Sequence, residues 1–425
     1  MATTAKSLKN PAYLQSSTTM LLFFASWGIW WSFFQIWLTN TETGLGFTGA
    51  QVGTVYAANS LGTLIIMFLY GTLQDRLGVK RHLAILVALV STLIAPFAIW
   101  VYEPLLRTNF MLGVVVGAIV ISAGFVSGVG LLEALTERLS RRYGFEYGQA
   151  RMWGSFGYAM VALVAGFLFS VNPHINFWVG SAFGVLLLLV TLFWKTDHLP
   201  VVNDSAVAAQ PTIKDMVATL KLPSLWVIII FVIMTWTFYQ LFDQQMFPGW
   251  YTSLFESEVT GQRVYGTLNS AQVFAEAAMM GVVPIVMRRV GVRNALLMGV
   301  SVMALRILGC AIFTDPVIVS AVKMLHAVEV PLFILPIFRY ITLHFNTLLS
   351  ATLYMVGFQI SAQLGNVVLS APLGALRDSI GYQPTFLVIV AVVVTAGIFA
   401  FFALKKDDEQ VLGDPFERTV KTIAR

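Results

Sequence analysis

The sequence Asp75-Arg-Leu-Gly-Val-Lys-Arg81 lies between two long apolar stretches, and a similar sequence, Arg288-Arg-Val-Gly-Val-Arg-Asn294, follows much later in the chain. Each copy places a glycine among basic residues directly after an apolar stretch. Gly78 and Gly291 are separated by about half of the 425 residues. A repeat of this length predicts two similarly folded halves in the same orientation.

The composition is that of a membrane protein. Hydrophobic residues make up 57% of the chain and charged residues only 11%, whereas about a quarter of the residues in soluble domains are charged. This excludes a soluble globular protein, and also a soluble enzyme with a single anchor. The net charge of +5 resides in loops between apolar stretches, so it indicates membrane topology rather than a nucleic-acid partner.

The apolar stretches predict the fold class and the domains. At roughly 20 residues per span, the chain has room for about twelve spanning helices. We place them at residues 18–39, 50–71, 83–102, 109–136, 150–171, 175–194, 224–250, 266–287, 293–313, 316–338, 350–371 and 382–404. We expect an all-α membrane protein with a six-helix bundle over 1–194, a cytoplasmic linker over 195–223, a second six-helix bundle over 224–404 and a cytoplasmic tail over 405–425.

Basic residues orient the bundle. Of the 26 Lys and Arg residues, only Arg107, Arg263 and Arg377 fall in loops on the side opposite the termini, apart from three inside predicted spans. Short loops rich in Lys and Arg stay in the cytoplasm. Both termini and the linker are therefore expected to be cytoplasmic.

Charged residues inside predicted spans are the strongest functional signal, because each is costly in a bilayer and is expected to face a cavity or a partner. Seven are present, together with His326: Glu133, Arg151, Asp243, Glu276, Arg306, Lys323 and Glu329. Distances from the connecting loops place those of the second half at broadly similar depth. Four acids facing three bases leave one carboxylate to carry a proton, whereas ion pairs that only hold the bundle together should balance.

One face of the predicted tenth span is polar. Lys323, His326 and Glu329 recur at every third position, so they lie on the same side of a helix. Pro331 cannot donate to the carbonyl of Ala327, and we expect it to distort the helix between His326 and Glu329.

The predicted fifth span carries a face suited to a polyhydroxyl ligand. Arg151, Ser155 and Tyr158 share this face, and Glu133 lies at the depth of Arg151 on the preceding span. A guanidinium donates and a carboxylate accepts, so together they can bind neighbouring sugar hydroxyls. The alternative is that Arg151 extends to the lipid headgroups. Aromatic residues of the first span could stack on sugar rings, although most are explained by packing or lipid contact: Trp27, Trp30, Trp31, Phe34 and Trp37.

Longer motifs resemble the oligosaccharide/proton symporters of the major facilitator superfamily, which include the lactose and sucrose permeases. They are Phe145-Glu-Tyr-Gly-Gln-Ala-Arg-Met-Trp-Gly154, Phe242-Asp-Gln-Gln245, Asn294-Ala-Leu-Leu297 and Lys323-Met-Leu-His-Ala-Val-Glu-Val-Pro331. Two others, Ser26-Trp-Gly-Ile-Trp-Trp-Ser32 and Thr235-Trp-Thr-Phe-Tyr239, are most similar to the sucrose permeases. The resemblance covers nearly the whole chain.

The resemblance implies roles for the candidate residues. Sugar contacts are implied at Glu133 and Arg151, and an interhelical charge pair at Asp243 and Lys323. Proton coupling is implied at Arg306, His326 and Glu329. The remaining candidates for the sugar site are Trp30, Asn59, Ser155, Tyr158, Gln272 and Glu276. The conformational loop of the superfamily matches Gly71, Asp75, Arg76 and Gly78.

The chain departs from the lactose permeases at two places. Gln240 and Ala362 stand where those proteins carry a second charge pair, and losing both charges together strands neither. Val273 stands where they carry an essential acid, whereas here Glu276 follows one turn later, with Gln272 nearby. A sugar other than lactose is therefore expected.

The expected function is proton-coupled symport of a disaccharide, most simply sucrose, across a bacterial cytoplasmic (inner) membrane by alternating access. A symporter for melibiose, raffinose or lactose is the alternative. An intramembrane hydrolase would need a nucleophile with its base, and no such arrangement occurs in the predicted spans. A sugar sensor would need a signalling domain, for which the expected tail after Leu404 is too short. We expect no enzyme activity, cofactor, metal or nucleic-acid partner; the partners are sugar, proton and membrane lipid, and the chain is expected to be a monomer.

Overall fold

The computed structural model describes residues 10–77, 79–196, 200, 217, 219–345 and 350–407. Helices account for most of these residues, and no β-strand occurs within the described ranges. Ten described helices are long and apolar enough to cross a membrane, or eleven if one bent pair is a single span. The predicted all-α membrane class is thereby confirmed, while the count of twelve spans stays a prediction.

The described α-helices are numbered α1 to α20. The first ten are Pro11–Trp31 (α1), Phe34–Thr39 (α2), Gly49–Leu77 (α3), His82–Thr92 (α4), Ile94–Phe97 (α5), Glu103–Thr108 (α6), Phe110–Ile121 (α7), Ser127–Tyr143 (α8), Tyr147–Phe169 (α9) and Pro173–Phe193 (α10). The others are Pro223–Val232 (α11), Phe238–Gln245 (α12), Phe247–Thr252 (α13), Glu258–Val290 (α14), Val292–Ile312 (α15), Pro316–Lys323 (α16), His326–His344 (α17), Ser350–Tyr354 (α18), Ser361–Ile380 (α19) and Tyr382–Ala403 (α20). Turns of π-helix continue α5, α7, α11 and α18 at Ala98–Tyr102, Ser122–Val126, Ile233–Thr237 and Met355–Ile360.

Internal contacts divide the chain into two compact units. The N-terminal unit consists of Met1–Ala209 with Pro248–Phe274, and the C-terminal unit consists of Gln210–Phe247 with Ala275–Arg425. In the N-terminal unit, α1 packs along both α9 and α10, and α10 also packs on α4. A Cβ atom at Gly157 of α9 would lie 2.5 Å from the Leu21 carbonyl oxygen. Glycine at this position therefore permits the close approach of α9 to α1.

Helix α1 begins at Pro11, earlier than the predicted span at 18. The side chain of Asn10 caps it, because its Oδ1 accepts a hydrogen bond from the Ala12 amide at 3.0 Å. Proline at the first helical position loses no hydrogen bond, since that amide has no partner within the helix. Capping thus extends the helix into a polar stretch that hydropathy alone excludes.

The predicted third span is a bent pair of helical segments. Helix α4 and the segment Ile94–Thr108 meet at an angle of 56°. Pro96 provides no amide hydrogen for the carbonyl of Thr92, which favours a bend at this point. The amide of Ala95 instead donates to the Ser181 hydroxyl of α10 at 2.9 Å, so the bend is fixed by a contact between helices.

In the C-terminal unit, α15 packs along both α17 and α20. A Cβ atom at Gly299 of α15 would lie 2.6 Å from the Leu332 carbonyl oxygen of α17. Val283, Ala295 and Leu332 form a buried apolar cluster close to this crossing. Helices α15 and α17 are therefore held in close contact.

Gly299→Ala is expected to destabilise the protein by roughly 1–3 kcal/mol, because the added methyl group pushes α15 away from α17. Gly281→Ala on α14 is the matched control, since a Cβ there meets no atom within 4 Å and alanine favours a helix. Thermal unfolding of the purified protein in detergent measures both variants. Equal melting temperatures for the two variants would contradict the close contact.

The two similar sequences lie in different local structures. Gly71, Asp75 and Arg76 lie in α3, whereas Gly78 lies outside the described residues, as do most of the predicted linker and the tail after residue 407. Gly291 joins α14 to α15 with a φ of +89°, a backbone conformation that glycine adopts without strain.

Candidate functional site

Two polar clusters occupy the helices, one in each unit. The Arg151 cluster consists of Phe24, Glu133, Arg151 and Ser155 in the N-terminal unit. The Arg306 cluster consists of Tyr239, Asp243, Glu276, Arg306, Lys323, His326 and Glu329 in the C-terminal unit. These clusters contain all seven charged residues that the sequence places in spans.

The Arg151 cluster joins three helices. Nε of Arg151 on α9 donates to Oε1 of Glu133 on α8 at 2.5 Å, and Nη1 contacts the Ser155 hydroxyl at 3.4 Å. The guanidinium carbon lies 4.3 Å from the centroid of the Phe24 ring on α1, close enough for a cation–π contact. Nη2 of Arg151 and Oε2 of Glu133 make no hydrogen bond within the described residues. The pair therefore keeps Nη2 of Arg151 as a donor atom and Oε2 of Glu133 as an acceptor atom for a ligand.

The hairpin of α8 and α9 brings this pair together. Helix α8 is closed by Gly144 in the left-handed conformation, with a φ of +68°, and α9 begins at Tyr147. Glu133 lies ten residues before the end of α8 and Arg151 four residues after the start of α9, so their side chains meet without being equally far from this turn. Their side chains are 30% and 27% exposed, so the pair is accessible and not enclosed in the core.

Aromatic side chains extend along one face of α1 from the Arg151 cluster. The ring of Phe24 lies 6.0 Å from that of Trp27, which lies 5.6 Å from Trp31. Trp31 in turn lies 5.9 Å from Tyr56 of α3. The indole nitrogen of Trp27 is buried and has no hydrogen-bond partner within the described ranges. This face can offer aromatic surface next to the charged pair.

The other candidates of the N-terminal unit lie in different surroundings. Trp30 is only 2% exposed and packs against the rings of Phe125 and Phe177 at 5.0 and 5.7 Å. Asn59 is also buried, and neither atom of its side-chain amide has a partner among the described residues. The Tyr158 ring packs against Gly28.

Arg306 is the centre of the second cluster. Its side chain is fully buried, and Nε and Nη2 donate to the two carboxylate oxygens of Glu329 at 2.8 and 2.6 Å. Nη1 donates to Oδ1 of Asp243 at 2.8 Å. Arg306 thus holds carboxylates from α12 and α17 through the planar geometry of its guanidinium.

Asp243 has further partners. Nζ of Lys323 lies 3.1 Å from the same Oδ1, and Nε2 of His326 lies 3.4 Å from Oδ2. The Tyr239 hydroxyl lies 2.6 Å from Nε2 of His326, and Nδ1 of His326 lies 3.9 Å from Oε2 of Glu276. The spacing of the helical hairpins anticipated the common depth of these residues, but the Asp243–Lys323 pair is one part of a larger network.

Aromatic rings that sequence reasoning did not assign to the site cover its cations. The guanidinium of Arg306 lies 5.0 Å from the ring centroid of Phe242, and Nζ of Lys323 lies 4.7 Å from that of Phe247. Tyr239 and Phe242 were visible in the motifs, yet nothing in their spacing indicated a contact with a cation. Such contacts stabilise desolvated cations by about 2 kcal/mol.

The tenth predicted span is interrupted, but not where Pro331 led us to expect. Helix α16 ends before Met324 and α17 begins after Leu325. The amides of Leu325, Ala327 and Val328 bond to carbonyls three residues earlier. The tightened turn lies one turn before the expected position, and it separates Lys323 from the rest of the polar face.

A neutral hydrogen bond lies near the position of the missing charge pair. Nδ2 of Asn366 on α19 donates to Oε1 of Gln240 on α12 at 2.8 Å. Ala362 contributes only its carbonyl oxygen, which accepts from the Thr237 hydroxyl at 3.4 Å. An uncharged link therefore joins α12 and α19, and the link involves Asn366, which the sequence did not single out.

The family model and the similar proteins point to the same family. The model of the LacY proton/sugar symporter family matches residues 5–416. The sucrose permease of Escherichia coli is 45% identical over 405 residues, which cover 95% of this chain and 96% of that protein. The raffinose permease of Escherichia coli is 35% identical, with 94% of each chain covered. The lactose permease of Klebsiella oxytoca is also 35% identical, covering 88% of this chain and 90% of the permease.

A solved structure supports the fold. The nucleoside transporter NupG superposes with a TM-score of 0.77, covering 93% of this chain and 99% of that structure at 18% identity. At this identity the likeness concerns the fold alone. It confirms the predicted all-α fold.

Proposed function

The chain belongs to the LacY proton/sugar symporter family, and from this we propose that it transports sucrose inward together with protons. The chain is a membrane transporter and not an enzyme. The similarity to a sucrose permease at 45% identity, against 35% for raffinose and lactose permeases, supports sucrose among the possible sugars.

The Glu133–Arg151 pair beside the aromatic face of α1 is the observation that carries this proposal. A sugar presents hydroxyl groups at its edges and an apolar face of C–H groups. The open Nη2 and Oε2 atoms can bind two neighbouring hydroxyls, while Trp27 covers the apolar face. Ser155, Tyr158 and Asn59 are further candidate ligands in the N-terminal unit. Gln272 and Glu276 are proposed as additional sugar ligands.

Proton coupling is proposed to occur at Glu329. Both of its oxygens accept from Arg306, an arrangement that suits a deprotonated carboxylate, which only accepts hydrogen bonds. Protonation turns one oxygen into a donor and so breaks the two-bond contact. Arg306 then keeps Asp243 as its partner. Loading of the proton and separation of Glu329 from Arg306 are therefore the same event.

The other members of the network are proposed to keep this switch in place. Lys323 balances the charge of Asp243, and His326 positions the second oxygen of that carboxylate with the help of Tyr239. When Glu329 is deprotonated, Arg306 and Lys323 balance the carboxylates of Asp243 and Glu329, as a low-dielectric environment favours. The third carboxylate of the cluster, that of Glu276, lies 3.9 Å from Nδ1 of His326.

The orientation is proposed from the distribution of basic residues. Both termini, the segment joining the two units and the α14–α15 turn are placed in the cytoplasm, because Lys and Arg concentrate there. The protein is proposed to lie in a bacterial inner membrane. We propose that one chain is the functional transporter, since a single chain supplies both the Arg151 and the Arg306 clusters.

Arg151→Lys is expected to weaken sucrose binding about tenfold or more, because charge-assisted hydrogen bonds contribute roughly 1.5–3 kcal/mol each and lysine lacks the planar fork. The measurement is the sucrose concentration that half-saturates exchange of labelled sugar in membrane vesicles. Arg141→Lys is the control, since Arg141 on α8 pairs with Glu137 and is largely exposed. Unchanged affinity in Arg151→Lys would remove this pair from the sugar site.

A further inference from the structure

An apolar groove runs along the C-terminal unit between α15 and α20. Its volume is about 610 Å³, within the range of small-molecule sites. Leu305, Ile398 and Phe401 line it and are 61%, 57% and 56% exposed. Because both helices are long and apolar enough to span a membrane, the groove opens toward the hydrocarbon of the bilayer, where acyl chains are the available occupants.

One end of the groove carries a cation that forms no salt bridge with a described carboxylate. Arg293 lies in the first turn of α15, with its guanidinium carbon 5.3 Å from the centroid of Phe401, and it donates to the Phe401 carbonyl oxygen. Its Nε atom is buried and has no hydrogen-bond partner within the described part of the chain. No described carboxylate forms a salt bridge with it. Arg293 can therefore bind an anionic group at the groove.

The surroundings of Arg293 are also basic. Arg288 and Arg289 end α14, and Lys405 and Lys406 follow α20; all four side chains are exposed. Among the described residues the acid at this end is Asp407, whose carboxylate accepts from the backbone amides of Val292 and Arg293 at 2.6 and 3.1 Å. This contact places the residues after α20 beside the α14–α15 turn. The four additional cations are thus concentrated near the end of the groove.

We propose that the groove binds one acyl chain of an anionic phospholipid, with the lipid phosphate on Arg293. Basic pockets between spanning helices at the cytoplasmic side bind anionic lipid headgroups. A guanidinium donates charge-assisted hydrogen bonds to phosphate oxygens, and the second acyl chain remains in the bilayer. The site is independent of the sugar and proton clusters, because none of its residues belongs to them.

Gly397 gives the groove its depth. A Cβ atom at this position would contact Val300 at 3.4 Å, which is ordinary van der Waals distance, so a Cβ can be added here without displacing α15. Gly397→Leu is expected to fill the groove and exclude the acyl chain. Ala304→Leu fills the same groove from the α15 side and provides a second variant if Gly397→Leu fails to fold.

Native mass spectrometry of the purified protein tests the proposal, with phosphatidylglycerol and phosphatidylcholine added separately in detergent. We expect the wild type to retain phosphatidylglycerol in preference to phosphatidylcholine. Arg293→Gln should weaken phosphatidylglycerol binding about fivefold, since one basic residue contributes about 1 kcal/mol toward anionic lipid. The leucine variants should weaken binding of both lipids.

Matched variants identify nonspecific effects. Arg141→Gln removes an exposed arginine of the N-terminal unit, and Gly281→Leu adds a side chain where no atom lies within 4 Å; both should bind phosphatidylglycerol as the wild type does. Gel filtration first establishes that each variant is folded. Equal retention of the two lipids by the wild type, or unchanged phosphatidylglycerol binding in Arg293→Gln and Ala304→Leu, would overturn the proposal.

Discussion

Glu329→Gln is expected to abolish uphill accumulation of sucrose while exchange of labelled for unlabelled sucrose continues. Glutamine resembles the protonated acid, and its amide oxygen can still accept one hydrogen bond from Arg306. The loaded transporter can therefore cross in both directions. Accumulation requires return of the empty, deprotonated form, which this variant cannot reach. Sugar uptake by energised cells and exchange in membrane vesicles measure the two activities.

Glu276→Gln is the matched control for this result. Glu276 is 24% exposed and lies 3.9 Å from His326, whereas Glu329 is fully buried against Arg306. As a proposed sugar ligand, Glu276→Gln should weaken sucrose binding but retain accumulation at saturating sucrose. If accumulation survives in Glu329→Gln and is lost in Glu276→Gln, the proton site must be reassigned to Glu276.

Asp243→Asn is expected to destabilise the protein by about 3–5 kcal/mol, because it leaves the buried Lys323 without its carboxylate. Asp243→Asn combined with Lys323→Ala removes both charges and should recover much of this loss. The asparagine oxygen can still accept from Nη1 of Arg306, which also keeps its two bonds to Glu329. Melting temperature and sucrose exchange should both be higher in the double variant than in Asp243→Asn.

The control for this double variant is a pair of residues that do not interact with each other. Combining Lys323→Ala with Glu133→Gln changes two residues with no shared partner, one in each unit, so their effects should add. A double variant of Asp243 and Lys323 that is no better than the worse single variant, despite normal expression, would show that the two charges do not compensate each other.

The sequence was sufficient for much of the fold. Apolar stretches of spanning length, and basic loops between them, depend on composition over many residues. The ends and bends of individual helices depend on single contacts instead. Asn10 extends α1 by capping it, and the Ser181 hydroxyl fixes the bend near Pro96. Such interactions leave little trace in hydropathy, and a contact between distant helices leaves none.

For the candidate site too, the sequence predicted which residues take part but not all of their contacts. The cost of charges in a bilayer identified the acidic and basic residues of both clusters, and hairpin spacing indicated which share a depth. Spacing could not indicate that Arg306 contacts both Glu329 and Asp243. The aromatic residues of the sugar site were harder to identify, because Trp27 and Trp30 are the same residue type in the same predicted span. The structure separates them: Trp27 continues from Phe24 along one face, whereas Trp30 packs in the core.

The most direct test of proton-coupled sucrose transport is the external pH of a weakly buffered suspension of de-energised cells that produce the protein. Adding sucrose is expected to raise the external pH, because protons enter with the sugar, and a protonophore should abolish the change. Raffinose, melibiose and lactose should give smaller signals. Entry of labelled sucrose without alkalinisation would contradict proton coupling, and alkalinisation with melibiose or raffinose but not with sucrose would contradict the assigned sugar.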